Sequence, residues 1–319
     1  MSSAESALQV LVTGGAGFIG SHLVDRLVNC GYRVKVLDNL STGRLDNIRD
    51  HLVTGRVEFV EGDVRDTSIV EHCVKDIDMA FHLAAITSVP FSMKNPDVTF
   101  DVNVRGTMNL LRFCSKVGVR KFVFVSSCAV YGEPKFLPVT EKHPTNPISP
   151  YAESKLAAEK FCLGFHERQL LPAVILRLFN VYGLRQGASE YCGVITRFID
   201  RSNRKLPLVV YGDGGQSRDF VCVCDVVEAI VRSVERKKAE GEIFNVGFGK
   251  PVSINELAKT FLEVAELDLG ISNEAARAGD VNRSFADISK AEAFLGYNPK
   301  VGLREGLRDL LFKKPLFFG

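Results

Sequence analysis

Tyr151 and Lys155 stand four residues apart in Ser149-Pro150-Tyr151-Ala-Glu-Ser-Lys155. Ser149 suits a helix N-cap, because its hydroxyl can accept a first-turn N–H, and proline suits the first helical position. The pattern predicts a helix over residues 151–167, and a spacing of four sets the phenol and the ammonium on one face. An ammonium beside a phenol favours the phenolate, pulling an ordinary tyrosine pKa of about 10 towards the working range of a general base. Ser127, in Ser126-Ser127-Cys128-Ala129-Val130-Tyr131-Gly132, follows an apolar run and offers a hydroxyl to hydrogen-bond the same substrate oxygen. Taken alone, Tyr-x-x-x-Lys is a common surface pair on helices. Its meaning depends on what surrounds it.

What surrounds it is a nucleotide-binding pattern. The chain opens with an apolar run and then Thr13-Gly-Gly-Ala-Gly-Phe-Ile-Gly20, in which Gly14, Gly17 and Gly20 are spaced G-x-x-G-x-x-G. Glycines permit a tight turn and let backbone N–H groups approach a pyrophosphate, to which the following helix offers its unpaired N-terminal donors. A second apolar run ends at Asp38, where a carboxylate would accept hydrogen bonds from the adenosine ribose and repel a 2′-phosphate. That favours NAD over NADP, although Arg44 lies close enough in sequence to keep the alternative open. Asp63, in Gly62-Asp63-Val64, is either a contact to the adenine or a turn residue. An oxidised nicotinamide ring near Tyr151 would favour the phenolate further.

The elements that must position these groups alternate. Apolar runs at 9–12, 33–37, 57–60, 79–82, 121–125 and 173–176 are separated by amphipathic stretches such as 21–29, 104–116 and 151–167. This predicts an α/β fold with a doubly wound parallel Rossmann sheet. The 319 residues suit two domains, and 46% apolar residues suffice for a sizeable core. The boundary is expected near Phe179, giving a cofactor domain over 1–178 and a smaller α/β substrate domain over 179–319. The strand and helix at 219–235 are expected to pack back on the first. A net charge of +2 advertises neither nucleic acid nor membrane as a partner. No signal peptide is readable and no apolar run reaches the roughly 20 residues of a bilayer span, so a cytoplasmic protein is expected. The eight cysteines lack metal-ligand spacing; Cys222 and Cys224 read better as free thiols than as a disulfide or metal site. No metal is expected.

With these motifs the sequence resembles the extended short-chain dehydrogenases/reductases of the NAD-dependent epimerase/dehydratase family, most of all its UDP-glucose 4-epimerase branch. The resemblance runs over essentially the whole chain. It includes His82-Leu-Ala-Ala85, Asn103-Val-Arg-Gly-Thr107, Arg177-Leu-Phe-Asn-Val-Tyr-Gly183, Gly193-Val-Ile-Thr-Arg-Phe198, Ser217-Arg-Asp-Phe220, Phe244-Asn-Val-Gly247 and Arg277-Ala-Gly-Asp280. It implies tightly bound NAD that is not consumed, with Tyr151 as base, Lys155 orienting the nicotinamide ribose, and Ser127 bridging to the sugar O4. The sugar C4 would be oxidised to a ketone and reduced again on its other face. The implied cofactor shell is Gly14, Gly17, Phe18, Ile19, Gly20, Asp38, Asn39, Asp63, Val64, Leu83, Ala84, Ala85, Asn103, Ser126, Tyr151 and Lys155. The implied substrate shell is Ser88, Ser127, Tyr151, Asn180, Val194, Tyr211, Arg218, Arg277, Asp280 and Ser284. In it Asn180, Arg218 and Arg277 take the UDP phosphates, Tyr211 flanks the uracil and Asp280 meets the ribose. Arginine suits phosphate because its planar fork pairs with two oxygens while staying charged.

Two departures refine the expectation. Relatives that dehydrate the sugar carry Thr-Asp-Glu where this chain has Ser127-Cys128-Ala129, so the acid and the carboxylate needed for dehydration are missing. Ser284 stands where epimerases restricted to glucose and galactose carry a tyrosine that walls off the sugar C2, leaving room here for an N-acetyl group. Ser88 and Thr87 would share the C2 or C3 environment. The family commonly forms homodimers through helices matching 98–117 and 151–167, where Phe100, Leu111, Phe161 and Phe165 suit burial, although packing within one chain gives the same pattern. Arg185 keeps open a UDP-glucuronate decarboxylase or 4-epimerase. A non-enzymatic NAD-binding protein on this fold is the remaining alternative.

Overall fold

The computed structural model describes residues 7–187, 193–276 and 281–312. Its centre is a seven-stranded parallel sheet. From one edge to the other the strands are Ile243–Val246, Ala173–Leu178, Lys121–Ser127, Met79–His82, Gln9–Thr13, Arg33–Asp38 and Val57–Glu61. The chain starts at Gln9–Thr13, winds outward through Arg33–Asp38 and Val57–Glu61, then returns to the other side of the first strand. The strand order therefore reverses between Gln9–Thr13 and Met79–His82, and the carboxyl ends of such a pair form the crevice where open α/β sheets take their ligands. Val10, Leu11, Val12, Val36, Phe81, Phe122 and Val123 are all buried. Strands covered by helices on both faces need such near-continuous apolar runs, which is why the runs are legible in the sequence.

The chain divides into two compact units, one of Met1–Ser126, Ser149–Leu176 and Ile230–Ile243, the other of Ser127–Ile148, Arg177–Ala229 and Phe244–Gly319. This division differs from a single cut near Phe179 in two places. Ser127–Ile148 groups with the second unit, and Ile230–Ile243 with the first. The physical reason is that a segment joins whichever core buries it, irrespective of chain order: Ser127–Ile148 is the turn and loop that follow a strand, and Ile230–Ile243 contains the end of the Val223–Glu235 helix.

In the first unit the helices Pro96–Phe100 and Gly106–Val117 are joined through one π-helical stretch, Asp101–Arg105. The Pro150–Glu167 helix starts as its sequence demands: Ser149 Oγ accepts the Ala152 N–H at 3.2 Å and Pro150 fills the first position. The helix expected over 21–29 begins earlier, at Phe18, because the glycine turn itself closes into its first turn with Gly17 as N-cap. Leu111 lies within this unit's own core and Phe165 packs against it, whereas Phe161 is 40% exposed.

The second unit has its own core, built around Tyr182, Ile195, Phe198, Leu208, Val210, Phe220, Leu257 and Phe261. Short pairings organise it: Asn180–Tyr182 runs parallel to Phe220–Cys222, Ser217–Arg218 antiparallel to Val252–Ser253, and Leu208–Tyr211 parallel to Ile271–Glu274. Cys222 ends a strand and Cys224 lies in the Val223–Glu235 helix; both are free thiols, with sulfurs 3.1 Å apart.

Candidate active site

The glycine turn is held by its own backbone. Gly14 has φ of 71°, a region glycine enters without cost, and its N–H donates to the Leu37 carbonyl at 2.9 Å. A Cβ on Gly20 would overlap the Gly14 carbonyl oxygen, so only glycine lets the helix leave the turn at this angle. A Cβ on Gly17 would stand 3.2 Å from the same oxygen. Gly17 brings no side chain to the first-turn N–H groups of the Phe18–Asn29 helix, and no acidic residue lies in that turn. A helix opening of this kind is suited to a bound anion.

Asp38 ends its strand 8% exposed, and accepts the Ala16 N–H at 3.0 Å and the Leu40 N–H at 2.9 Å. Burial raises its pKa, and these two hydrogen bonds oppose the rise. An ionised carboxylate has about four acceptor positions, so capacity remains for ribose hydroxyls. Arg44 is turned to Asp46, 3.7 Å away and exposed. Asp63 is gripped by Arg65, whose Nε and Nη2 reach it at 2.9 and 2.8 Å, and accepts Asn39 Nδ2 at 3.0 Å. The Arg65 guanidinium holds that carboxyl down to about 2. Val64 beside it is buried. Turn, carboxylate and helix opening together fit a dinucleotide.

Across the strand reversal, Leu83, Ala84 and Ala85 are half-buried. Leu83 N–H donates to the Thr13 carbonyl at 3.1 Å. His82 is wedged between Thr13 Oγ1 at 2.7 Å and Thr107 Oγ1 at 2.9 Å. Thr107 donates to the Asn103 carbonyl at 2.6 Å, so its oxygen must accept from His82 Nε2. Burial pushes the His82 pKa down to about 3, which keeps it neutral, with the Lys155 charge adding to the effect. Asn103, in the π-helical stretch, is 1% exposed; its side chain exchanges hydrogen bonds with Ile86 N–H and carbonyl and donates to Ser154 Oγ at 2.9 Å. It therefore links the 83–86 segment to the helix of Tyr151. Ser88 Oγ caps the Val89–Lys94 helix through Phe91 N–H.

Tyr151 is 9% exposed, and its N–H donates to Ser92 Oγ at 3.1 Å. Lys155, one turn on, is 4% exposed; its Nζ donates to the Val125 carbonyl at 2.8 Å and lies 4.8 Å from the centre of the Phe124 ring. Burial lowers its pKa to about 8, resisted by the negative charge of Glu159. Ser126, 3% exposed, donates to Glu159 Oε1 at 2.5 Å. Glu159 was not singled out from the sequence. The signal available was its position, four residues after Lys155 and eight after Tyr151, on the same face of the helix.

Within the second unit, Ser127 Oγ accepts the Ala129 N–H at 3.2 Å. Burial pushes the neighbouring Cys128 thiol up to about 12, so it makes a poor proton donor. Asn180, Arg218 and Ser284 gather around one stretch: Asn180 N–H donates to the Asp219 carbonyl at 2.9 Å, and Ser284 N–H to the Ser217 carbonyl at 3.1 Å. Arg218 Nη1 reaches the Ser217 carbonyl at 2.8 Å. Asp219 is fully buried and accepts Phe248, Gly249 and Ala286 N–H at 2.7, 3.0 and 3.0 Å, which ties two segments to the Arg218 strand. Val194 opens the Val194–Asn203 helix, from which the Arg197 guanidinium lies 5.3 Å from the centre of the Tyr211 ring. Arg277 and Asp280 lie outside the described residues. Among the described residues there is no group of three or more side chains able to hold a metal, and no helix long and apolar enough to cross a membrane.

Residues 11–310 match the GDP-mannose 4,6 dehydratase family. A Methanocaldococcus jannaschii protein provisionally named UDP-glucose 4-epimerase is 43% identical over 308 residues, covering 95% of this chain and 97% of its own. UDP-glucuronic acid decarboxylase 2 of Arabidopsis thaliana is 38% identical, covering 94% of this chain and 66% of the relative. The crystal structure of the UDP-glucose 4-epimerase of Thermotoga maritima with UDP-glucose superimposes with a TM-score of 0.91 at 38% identity, over 96% of this chain and 99% of that one. The glycine turn, the Tyr151–Lys155 helix and these likenesses define an extended short-chain dehydrogenase/reductase. The chain belongs to the NAD-dependent epimerase/dehydratase family.

Proposed function

We propose that this protein interconverts UDP-glucose and UDP-galactose by inverting the sugar C4, and, through the small Ser284, acts on UDP-GlcNAc and UDP-GalNAc as well. The observation that carries this reading is the Lys155 ammonium, buried and fixed to Val125 one helical turn from Tyr151. A cation held there favours the phenolate that a general base requires.

NAD, when bound along the glycine turn and Asp38, supplies reversible two-electron oxidation at the sugar C4. Tyr151 takes the proton of the 4-hydroxyl and returns it when the ketone is reduced, while Ser127 hydrogen-bonds the same oxygen. Lys155 orients the ribose and stabilises the phenolate. Gly17, Phe18, Ile19, Asn39, Asp63, Val64, Leu83, Ala84, Ala85, Asn103 and Ser126 complete the cofactor contacts in this reading. Asn180, Arg218 and Arg277 take the diphosphate, and Val194, Tyr211 and Asp280 the uridine. Ser88 and Ser284 border the sugar. With Cys128 and Ala129 beside Ser127, no carboxyl group stands where dehydration needs one.

The protein is proposed to work as a cytoplasmic homodimer through the face carrying Phe161, an assembly that light scattering on the purified protein measures. A second reading, UDP-glucuronate decarboxylation or 4-epimerisation, is favoured by the likeness to the Arabidopsis decarboxylase and by Arg185 just after Gly183.

The test is to incubate purified protein, without added cofactor, with UDP-galactose, UDP-GalNAc and UDP-glucuronate in turn, and to resolve the products by anion exchange. Conversion of the first two to their gluco epimers is the expected result. Turnover of UDP-galactose alone removes the role of Ser284. Reaction of UDP-glucuronate alone, with or without carbon dioxide release, replaces the first reading by the second. No turnover of any of them, NAD supplied, overturns both readings.

A further inference from the structure

Glu159 is 1% exposed, on the helix of Tyr151 and Lys155. A carboxylate is removed from water at a large energetic penalty unless it is hydrogen-bonded and paired. Here Ser126 Oγ donates to it at 2.5 Å, and the Lys155 cation lies one turn back along the helix. We infer that Glu159 is a positioning residue for the Tyr151–Lys155 pair: it anchors the helix to Ser126 and supplies the negative charge that holds the Lys155 ammonium. The inference rests on the epimerase reading for its consequence in turnover, and on geometry alone for the coupling between the two side chains.

The groups facing Lys155 from each packed element support it. On its own helix are Tyr151, Glu159 and Cys162, whose thiol burial pushes above its ordinary range. The Met79–His82 strand presents His82, held neutral and therefore no counter-ion. The Lys121–Ser127 strand presents the Phe124 ring and the Val125 carbonyl, a weak dipole partner for a full charge. Burial lowers the Lys155 pKa to about 8, and the negative charge of Glu159 opposes that fall. Four helical residues separate Glu159 from Lys155, about 6 Å of rise, against about 12 Å to Tyr151. Its charge therefore acts on the ammonium much more than on the phenol.

Two measurements on the protein as purified test this. In a double-mutant cycle followed by denaturant unfolding, Glu159→Gln is expected to lower the folding constant about tenfold more in the wild-type background than in Lys155→Met. In the pH dependence of kcat, Glu159→Gln is expected to move the alkaline limb to lower pH with KM little changed, because the ammonium loses its proton sooner. Glu159→Asp, which keeps the charge, is expected to return the limb most of the way. An additive cycle overturns the inference, as does an unshifted limb in a variant that turns over. Should Glu159→Gln fail to fold, Glu159→Asp enters the cycle in its place, with a smaller coupling of the same sign, and additivity there overturns it equally. If the wild type converts no UDP-sugar, the epimerase reading falls while the cycle still decides the role of Glu159.

Discussion

Lys155 Nζ donates to the carbonyl of Val125 at 2.8 Å, so the helix carrying Tyr151 is pinned to the strand that ends in Ser126 and Ser127. The ammonium is thereby immobilised from two directions, by a carbonyl ahead of it and the Phe124 ring beneath it. A general base keeps its geometry only when its supporting groups cannot move.

That rigidity separates two substitutions. Tyr151→Phe keeps the backbone bond to Ser92 and is expected to fold as the wild type while losing about 10²–10⁴-fold in kcat, the range that general base catalysis contributes. Lys155→Arg replaces the compact ammonium held against the Val125 carbonyl and the Phe124 ring with a wider, planar guanidinium, and is expected to lose activity about 10²-fold with a lowered melting temperature. Equal activity of wild type and Tyr151→Phe in a coupled assay would remove Tyr151 from the chemistry.

The glycine turn predicts a graded pair. Gly20→Ala drives a methyl into the Gly14 carbonyl and is expected to destabilise the fold by about 2 kcal/mol or more. Gly17→Ala meets the same oxygen at 3.2 Å, so the fold is expected to survive while bound NAD per subunit falls. Thermal unfolding and cofactor content after gel filtration measure both; equal melting temperatures for the two variants would contradict the packing argument.

Asp219 links stability to pH. Burial raises its pKa from 3.8 to about 6, so the folded chain holds this proton more tightly than the unfolded one. The ionised form is disfavoured by folding at pH above 6, and stability from this group rises as pH falls from 6 towards 4, by on the order of 2 kcal/mol. The advantage of wild type over Asp219→Asn, measured by urea unfolding, is expected to widen between pH 7 and pH 4.5. A gap that narrows would reverse the sign assigned here.

Ser284→Tyr addresses the substrate. Ser284 is 9% exposed and its backbone is tied to Ser217, so a large side chain at this position cannot be absorbed by moving the segment freely. Turnover of UDP-GalNAc is expected to disappear while that of UDP-galactose persists within a few-fold. Equal loss of both, by product chromatography, would exclude a C2-selective wall.

How much of this was legible in the sequence differs by kind of interaction. The apolar runs of the sheet, Gly14-x-x-Gly17-x-x-Gly20, the cap at Ser149-Pro150 and the four-residue spacing of Tyr151 and Lys155 are local, and each follows from backbone geometry within a few residues. They were enough to establish the fold class and to nominate the base and the cofactor turn. The early start of the Phe18–Asn29 helix was not readable, because it depends on how the glycine turn closes. Nor was the assignment of Ser127–Ile148 to the second unit.

Only the tertiary structure decided which polar groups are buried together. His82 between Thr13 and Thr107, Asn103 against Ile86 and Ser154, Asp219 against three backbone N–H groups and Glu159 against Ser126 all join residues far apart in the chain. Burial sets the penalty that makes such partners obligatory, and burial is a property of the packed chain rather than of any segment of it. Sequence order therefore nominated the candidate groups, and packing decided which buried polar partners surround them.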